Sequence, residues 1–253
     1  MIPHDPEPPL SPAEAPVICE TSASDHAWPF WGYQDLLVFI SLAFPSLLAS
    51  AAIVKVATSF VPAGTPFKEL LVQIVWYALV FSALYALLRL RYQRPFWHSL
   101  GWAPPFRGAN LAFIAGPPLA LGIGYTGYLI HTPEIQMPFR EMLQDRPTVV
   151  LFSILAVIVG PLCEELAFRG FLMPLLIRSL GAVSGILITG LLFGSLHAAE
   201  YQWSWKHVFL ISTAGMAFGW VRYKTGSTAA STFMHSSYNL TQLAAFLAQS
   251  RAL

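Results

Sequence analysis

Long apolar runs alternate with short polar breaks along the chain, and the runs fall near residues 36–61, 70–90, 111–130, 147–180, 182–198, 207–223 and 228–249. Most reach the ~20 residues needed to cross the hydrocarbon core of a bilayer. Backbone in lipid must satisfy its own hydrogen bonds, and these runs lack the strict alternation of a barrel strand, so each predicts a helix. The expected fold is all-α, a polytopic transmembrane bundle of seven or eight helices. The count turns on 147–180, which at about 1.5 Å per residue would measure roughly 50 Å. Gly160-Pro161 and Pro174 either kink that run once or break it into two segments. Seven spans are the preferred count.

The first 33 residues differ from the rest: rich in Pro, Ser and acids, with no Lys or Arg. They have too little apolar surface to offset the entropy of ordering, so a disordered tail is expected at 1–33, before a bundle at 34–253. The tail lacks the basic start and apolar core of a signal peptide. Trp28, Trp31 and Tyr33 before the first span, and Trp203 and Trp205 before the sixth, fit an interfacial aromatic belt. With seven spans, Arg89, Arg91, Arg94, Arg107, Arg178, Arg222 and Lys224 share one face, and Lys68, Arg140, Arg146, Lys206 and Arg251 take the other. The arginine-rich 89–108 loop and the tail are assigned to the cytoplasm, in a bacterial cytoplasmic membrane. Small-xxx-small spacings at Gly181/Gly185, Gly190/Gly194 and Gly215/Gly219 predict close helix contacts.

Composition narrows the class. The 253 residues are 55% hydrophobic and only 11% charged, against roughly 25% charged in soluble domains. That excludes an ordinary cytosolic enzyme. A net charge of +1 with no basic run gives no reason to expect nucleic-acid binding. Of the two cysteines, Cys19 lies in the tail and Cys163 in an apolar helix, so no disulfide framework is expected.

The chemistry concentrates in PLCEELAFRG, residues 161–170. Charges inside an apolar span are costly and usually face a polar interior. Glu164 and Glu165 are adjacent and point about 100° apart on a helix, whereas Glu165 and Arg169 are four apart and face each other. Glu165 is therefore expected to pair with Arg169, leaving Glu164 to project separately into the bundle. Phe193 lies one turn before His197, and His235 one turn before Asn239. Counted from the helix ends, His197 lies deep in its span and His235 about 10 Å from a membrane face. A carboxylate, two imidazoles and an amide on three membrane helices suit hydrolysis by activated water, which needs a base for the proton and donors for the oxyanion. Neither the zinc-protease HExxH spacing nor the GxSxG elbow is present. Ser195 and Ser231 have no base attached to them in sequence.

The ordered set Glu164-Glu165-xxx-Arg169, Phe193-xxx-His197 and His235-xxx-Asn239 resembles the CAAX-protease and bacteriocin-processing family, the Abi-type intramembrane proteases related to type II CAAX prenyl endopeptidases. The resemblance covers about residues 147–249. It implies that Glu164 and His197 activate a water, that His235 and Asn239 stabilise the oxyanion, that Arg169 orients the paired glutamates and that Phe193 packs beside the site. Members are described both as glutamate-type and as metalloproteases. The glutamate reading, with no cofactor, is preferred; the alternative is zinc on Glu164, His197 and His235, which leaves Asn239 little to do. The expected partners are a membrane-associated peptide or protein substrate and the bilayer. Two other classes compete: a proton- or ion-coupled transporter using Glu164, His197 and His235 as a relay, and a non-catalytic immunity or scaffold protein.

Overall fold

The computed structural model describes residues 28–60, 64–102, 104, 106–135 and 145–252, with side chains through residue 248. Among the described residues there are eight helices and no strand: α1 (Tyr33–Ala57), α2 (Thr65–Arg91), the short α3 (Phe96–Ser99), α4 (Ala109–Leu129), α5 (Arg146–Leu180), α6 (Ala182–Leu196), α7 (Trp205–Thr225) and α8 (Thr228–Ala252). The seven long ones match the expected spans. Three of them, α1, α2 and α5, are long and apolar enough to cross a membrane by length and composition alone. Large apolar side chains on the outer face of α1, among them Leu37, Phe44, Leu48 and Val56, are exposed. Such a surface belongs in lipid.

The 147–180 run is one helix, which settles the count at seven long helices. Its prolines are absorbed by local widening. Residues 155–159 and 166–172 form π-turns, each just ahead of a proline. The Gly160 N–H reaches back five residues to the Leu155 carbonyl, and the Met173 N–H likewise to Phe168. A proline ring clashes with the carbonyl four residues earlier in a regular helix. The five-residue register relieves that clash and keeps the axis continuous. Both glutamates lie on the six regular residues between the two widened stretches.

Helices α1 and α2 pack as a pair, as do α6 and α7, and α8 runs along α4 while also touching the middle of α5. Tyr33 donates to Ser179 Oγ at 2.8 Å, which puts the start of α1 beside the end of α5. Close contacts are found at Gly185, Gly190, Gly194 and Gly215 but not at Gly181, which faces open space: a Cβ on Gly194 would lie 2.1 Å from Ser212 Oγ and 2.6 Å from the Val208 carbonyl, so α7 can approach only a bare backbone there.

Two corrections concern the boundaries. Residues 1–27 of the expected tail, with Cys19, lie outside the described residues, but 28–32 pack on the bundle. Trp31, expected at the membrane interface, is 0% exposed; it stacks on Phe171 and its indole donates to the Phe171 carbonyl at 3.0 Å. Trp203 and Trp205 are exposed, as a belt position requires. Helix α6 has only 15 residues, roughly 22 Å, so His197 follows its last residue and is not deep within it. The short helix still brings His197 to the polar cluster, because Phe193 one turn earlier is buried there.

Candidate active site

Glu165 and Arg169 form the expected pair, 2.8 Å apart and both 0% exposed. The i,i+4 spacing brings them together, and the surroundings complete what a buried charge needs. Arg169 Nη2 donates to the Gly215 carbonyl at 2.6 Å, an approach possible because position 215 carries no side chain. Its guanidinium lies over the rings of Phe193, Phe218 and Phe168 at 4.7, 5.6 and 5.7 Å. Glu165 accepts two more bonds, from Ser231 Oγ and from His235 Nδ1, the latter at 3.0 Å.

That second bond fixes His235. An ionised carboxylate can only accept, so Nδ1 carries the hydrogen and the ring turns Nε2 toward Glu164. The Nε2–Oε2 separation is 3.8 Å, too long for a hydrogen bond. Phe218 stacks on the imidazole at 4.5 Å and Phe193 meets it edge-on at 5.6 Å. His197 Nδ1 lies 2.8 Å from the Phe193 carbonyl. A carbonyl also only accepts, so in the neutral ring Nε2 holds the free lone pair. Phe193 thus touches both histidines and Arg169.

Glu164 does project separately. Its side chain is 23% exposed, and it meets Tyr77 Oη of α2 at 3.4 Å as well as facing His235. The structure therefore gathers Glu164, Glu165, Arg169, Phe193, His197 and His235 around one region. Asn239 lies one turn beyond His235 on α8, but its Nδ2 donates to the Ala156 carbonyl at 2.8 Å. The reason is the altered register of α5. With Gly160 bonded to Leu155, the next N–H should meet Ala156, but residue 161 is proline and has none. Asn239 supplies the missing donor and keeps one N–H free.

Among the described residues no three His, Cys, Asp or Glu side chains are placed to hold one metal ion. The zinc set Glu164, His197 and His235 is no exception, although the bond from His235 Nδ1 to Glu165 leaves Nε2 as the ring atom that faces Glu164. Cys163, beside Glu164, is a half-buried free thiol.

Two participants, Glu200 and Tyr77, have no place in the sequence reading, and Ser231 enters it only as a nucleophile without a base. Ser231 is four residues before His235, a spacing that could have placed it on the same face. Glu200 follows His197 by three, on the exposed turn that closes α6. Burial holds its carboxyl above the usual carboxylate range; the His197 ring opposes that shift and the Glu164 charge adds to it. Tyr77 carries no motif and reaches Glu164 from α2.

Taken together, the apolar helices and their enclosed polar cluster make the chain an integral membrane protein. Residues 146–241 match the family model described as Type II CAAX prenyl endopeptidase Rce1-like, so the recognition drawn from the three motifs is borne out and its span agrees closely with the 147–249 expected. The family supports a CAAX-type protease, a hydrolase. Neither the curated proteins nor the solved structures give a match.

Proposed function

We propose that the chain is an intramembrane endopeptidase that hydrolyses a peptide bond near the membrane surface, on a membrane-associated, CAAX-type substrate. The observation that carries this reading is the divergence of the two glutamates. Glu165 is fully used by Arg169, Ser231 and His235. Glu164 is partly open, with no arginine or lysine bonded to it among the described residues, and faces His235 Nε2.

In this reading Glu164 takes a proton from water while the lone pair of His197 Nε2 orients it. The water oxygen bonds to the substrate carbonyl carbon, and the oxyanion is received by the free Asn239 N–H and by His235, which donates from Nε2 as the imidazolium because its Nδ1–H is committed to Glu165. Collapse breaks the C–N bond, and Glu164 returns its proton to the leaving amine. Glu165 and Arg169 hold His235 and do not touch the reacting atoms. No step requires a metal. The bilayer location we favour is a bacterial cytoplasmic membrane with the arginine-rich ends of α2 and α7 inside.

Glu164→Gln and His197→Ala are expected to abolish cleavage, read as the loss of new termini in membrane-extract proteomics, while both proteins still insert and fold. Processing retained by either variant would defeat the assignment. A transporter would instead keep its flux without any peptide product, and a scaffold would tolerate Glu164→Gln.

A further inference from the structure

Tyr77, which meets the Glu164 carboxylate from α2, lies beyond the segment that matches the family model. Tyr77 Oη lies 3.4 Å from Glu164 Oε1, and Gln73 Nε2, one turn earlier on α2, lies 3.2 Å from the same hydroxyl oxygen. The directions of these bonds follow from chemistry. An amide N–H can only donate, and an ionised carboxylate can only accept. Gln73 therefore occupies a lone pair of the phenol, and the phenol proton points at Glu164. The ring has little freedom: it stacks on Trp76 at 5.5 Å, and the Trp76 indole donates to the Ala43 carbonyl of α1 at 2.8 Å. The α1–α2 pair thus aims one hydroxyl at the one carboxylate of the cluster that Arg169 leaves alone.

We propose that Tyr77, braced by Gln73, is a positioning residue that fixes the Glu164 carboxylate for proton abstraction. With Oε1 engaged by the phenol, Oε2 is the oxygen turned toward His235, and it is the one left to take the proton of water. The proposal rests on the peptidase reading. At 3.4 Å the contact is long for an O–H···O bond. Hydrogen bonds of this kind are commonly loose before substrate binds and shorten in the reacting complex. Among the described residues the other charged and titratable groups bearing on Glu164 are His235, the buried Arg169, the Cys163 thiol beside it and Glu200; no hydrogen bond or ion pair joins any of them to Oε1.

The test uses the full chain in proteoliposomes and an internally quenched peptide ending in a prenylated CAAX-type sequence. Tyr77→Phe keeps the ring and removes only the hydroxyl. Its kcat is expected to fall about tenfold, a fraction of the ~10²–10⁴ that a general base supplies. KM should stay within about twofold, because substrate binding is not altered. The melting temperature should move by less than about 2 °C. Gln73→Leu should lower kcat by about threefold, and the double variant should be no worse than Tyr77→Phe alone, since both act on one carboxylate. Unchanged kcat in Tyr77→Phe, or a rise in KM together with a lower melting temperature, overturns the proposal. Should Tyr77→Phe not fold, unchanged kcat in Gln73→Leu overturns it equally. The two readings fail differently. If wild type cleaves, Glu164→Gln does not, and Tyr77→Phe equals wild type, only the role of Tyr77 falls. If Glu164→Gln cleaves as well as wild type, or wild type does not cleave, the peptidase reading falls and takes this proposal with it.

Discussion

Glu165–Arg169 and Asp35–Arg91 are both carboxylate–arginine pairs at bonding distance, 2.8 and 3.0 Å, but Arg169 is wholly enclosed whereas Arg91 is 51% exposed. The first pair stands at the centre of the family-like half, with a carbonyl, a serine and a histidine completing it. The second closes the end of the α1–α2 half, where Asp35 also accepts from the Gly32 N–H at 2.8 Å and from Tyr92 Oη at 2.6 Å. Losing Arg91 leaves Asp35, itself only 2% exposed, with both of those donors on Oδ2, and the space vacated by the half-exposed arginine opens Oδ1 to water. Losing Arg169 leaves Glu165, wholly enclosed, without its counter-ion. Equal distances therefore do not imply equal worth; access to solvent decides it.

The largest effect expected is accordingly that of Arg169→Ala. Removing one partner of a buried pair costs about 3–5 kcal/mol, enough to unfold much of the protein in a detergent melt. If Arg169→Ala melts within a degree of wild type, the enclosed pair is not the keystone that its geometry indicates.

How much of this was readable beforehand follows the range of the interactions. The pairing of Glu165 with Arg169 and the shared face of Phe193 and His197 rest on i,i+4 spacing, which any helix imposes. The seven long helices rest on apolar run length. What escaped depends on contacts between elements or on local departures from the regular helix. Trp31 looked interfacial because it is an aromatic just ahead of the first apolar run, yet it fills a hole between α2, α3 and α5. Tyr77 and Ala156 reach the site from α2 and from a widened turn of α5, neither of which follows from spacing. The partner of Asn239 could be anticipated only by knowing that the helix changes register before Pro161 and does not break.

Asn239→Ala sharpens the contrast within the site half itself. If the free N–H serves the oxyanion, turnover should drop about 10²–10³-fold, the scale for losing one such donor. Leaving the Ala156 carbonyl unpaired should cost only about 1–3 kcal/mol of stability. Stopped-time cleavage assays and melts on the same preparation separate the two. A loss of stability with turnover reduced less than about tenfold would make Asn239 purely a brace for the proline turn. Arg91→Ala, the counterpart of the first variant, should cost no more than about 1 kcal/mol and leave kcat unchanged. A loss comparable with that of Arg169→Ala would mean that the exposed end of α2 is as closed as the bundle centre.

The smallest effect is expected at Glu200, which sits between the two regimes, on an exposed turn yet within reach of His197 and Glu164. Its own burial is the main reason its carboxyl holds a proton above the usual range, with the Glu164 charge adding to that and His197 opposing it. The folded chain therefore binds this proton more tightly than the unfolded chain, whose glutamates titrate near ~4.3. Stability from this source is fully present below that unfolded value and is lost as the pH rises through the raised folded value. Glu200→Gln keeps the neutral shape at every pH. Relative to this variant, wild type should lose no more than about 1 °C of melting temperature as the pH is raised from about 4 to 7, because Glu200 is exposed and solvent screens much of the shift. Its kcat/KM should stay within about threefold, because Glu200 touches neither nucleophile nor oxyanion in the proposed reaction. Parallel melting curves across that range would show that the turn is as open as its surface exposure suggests, with neither His197 nor Glu164 felt there.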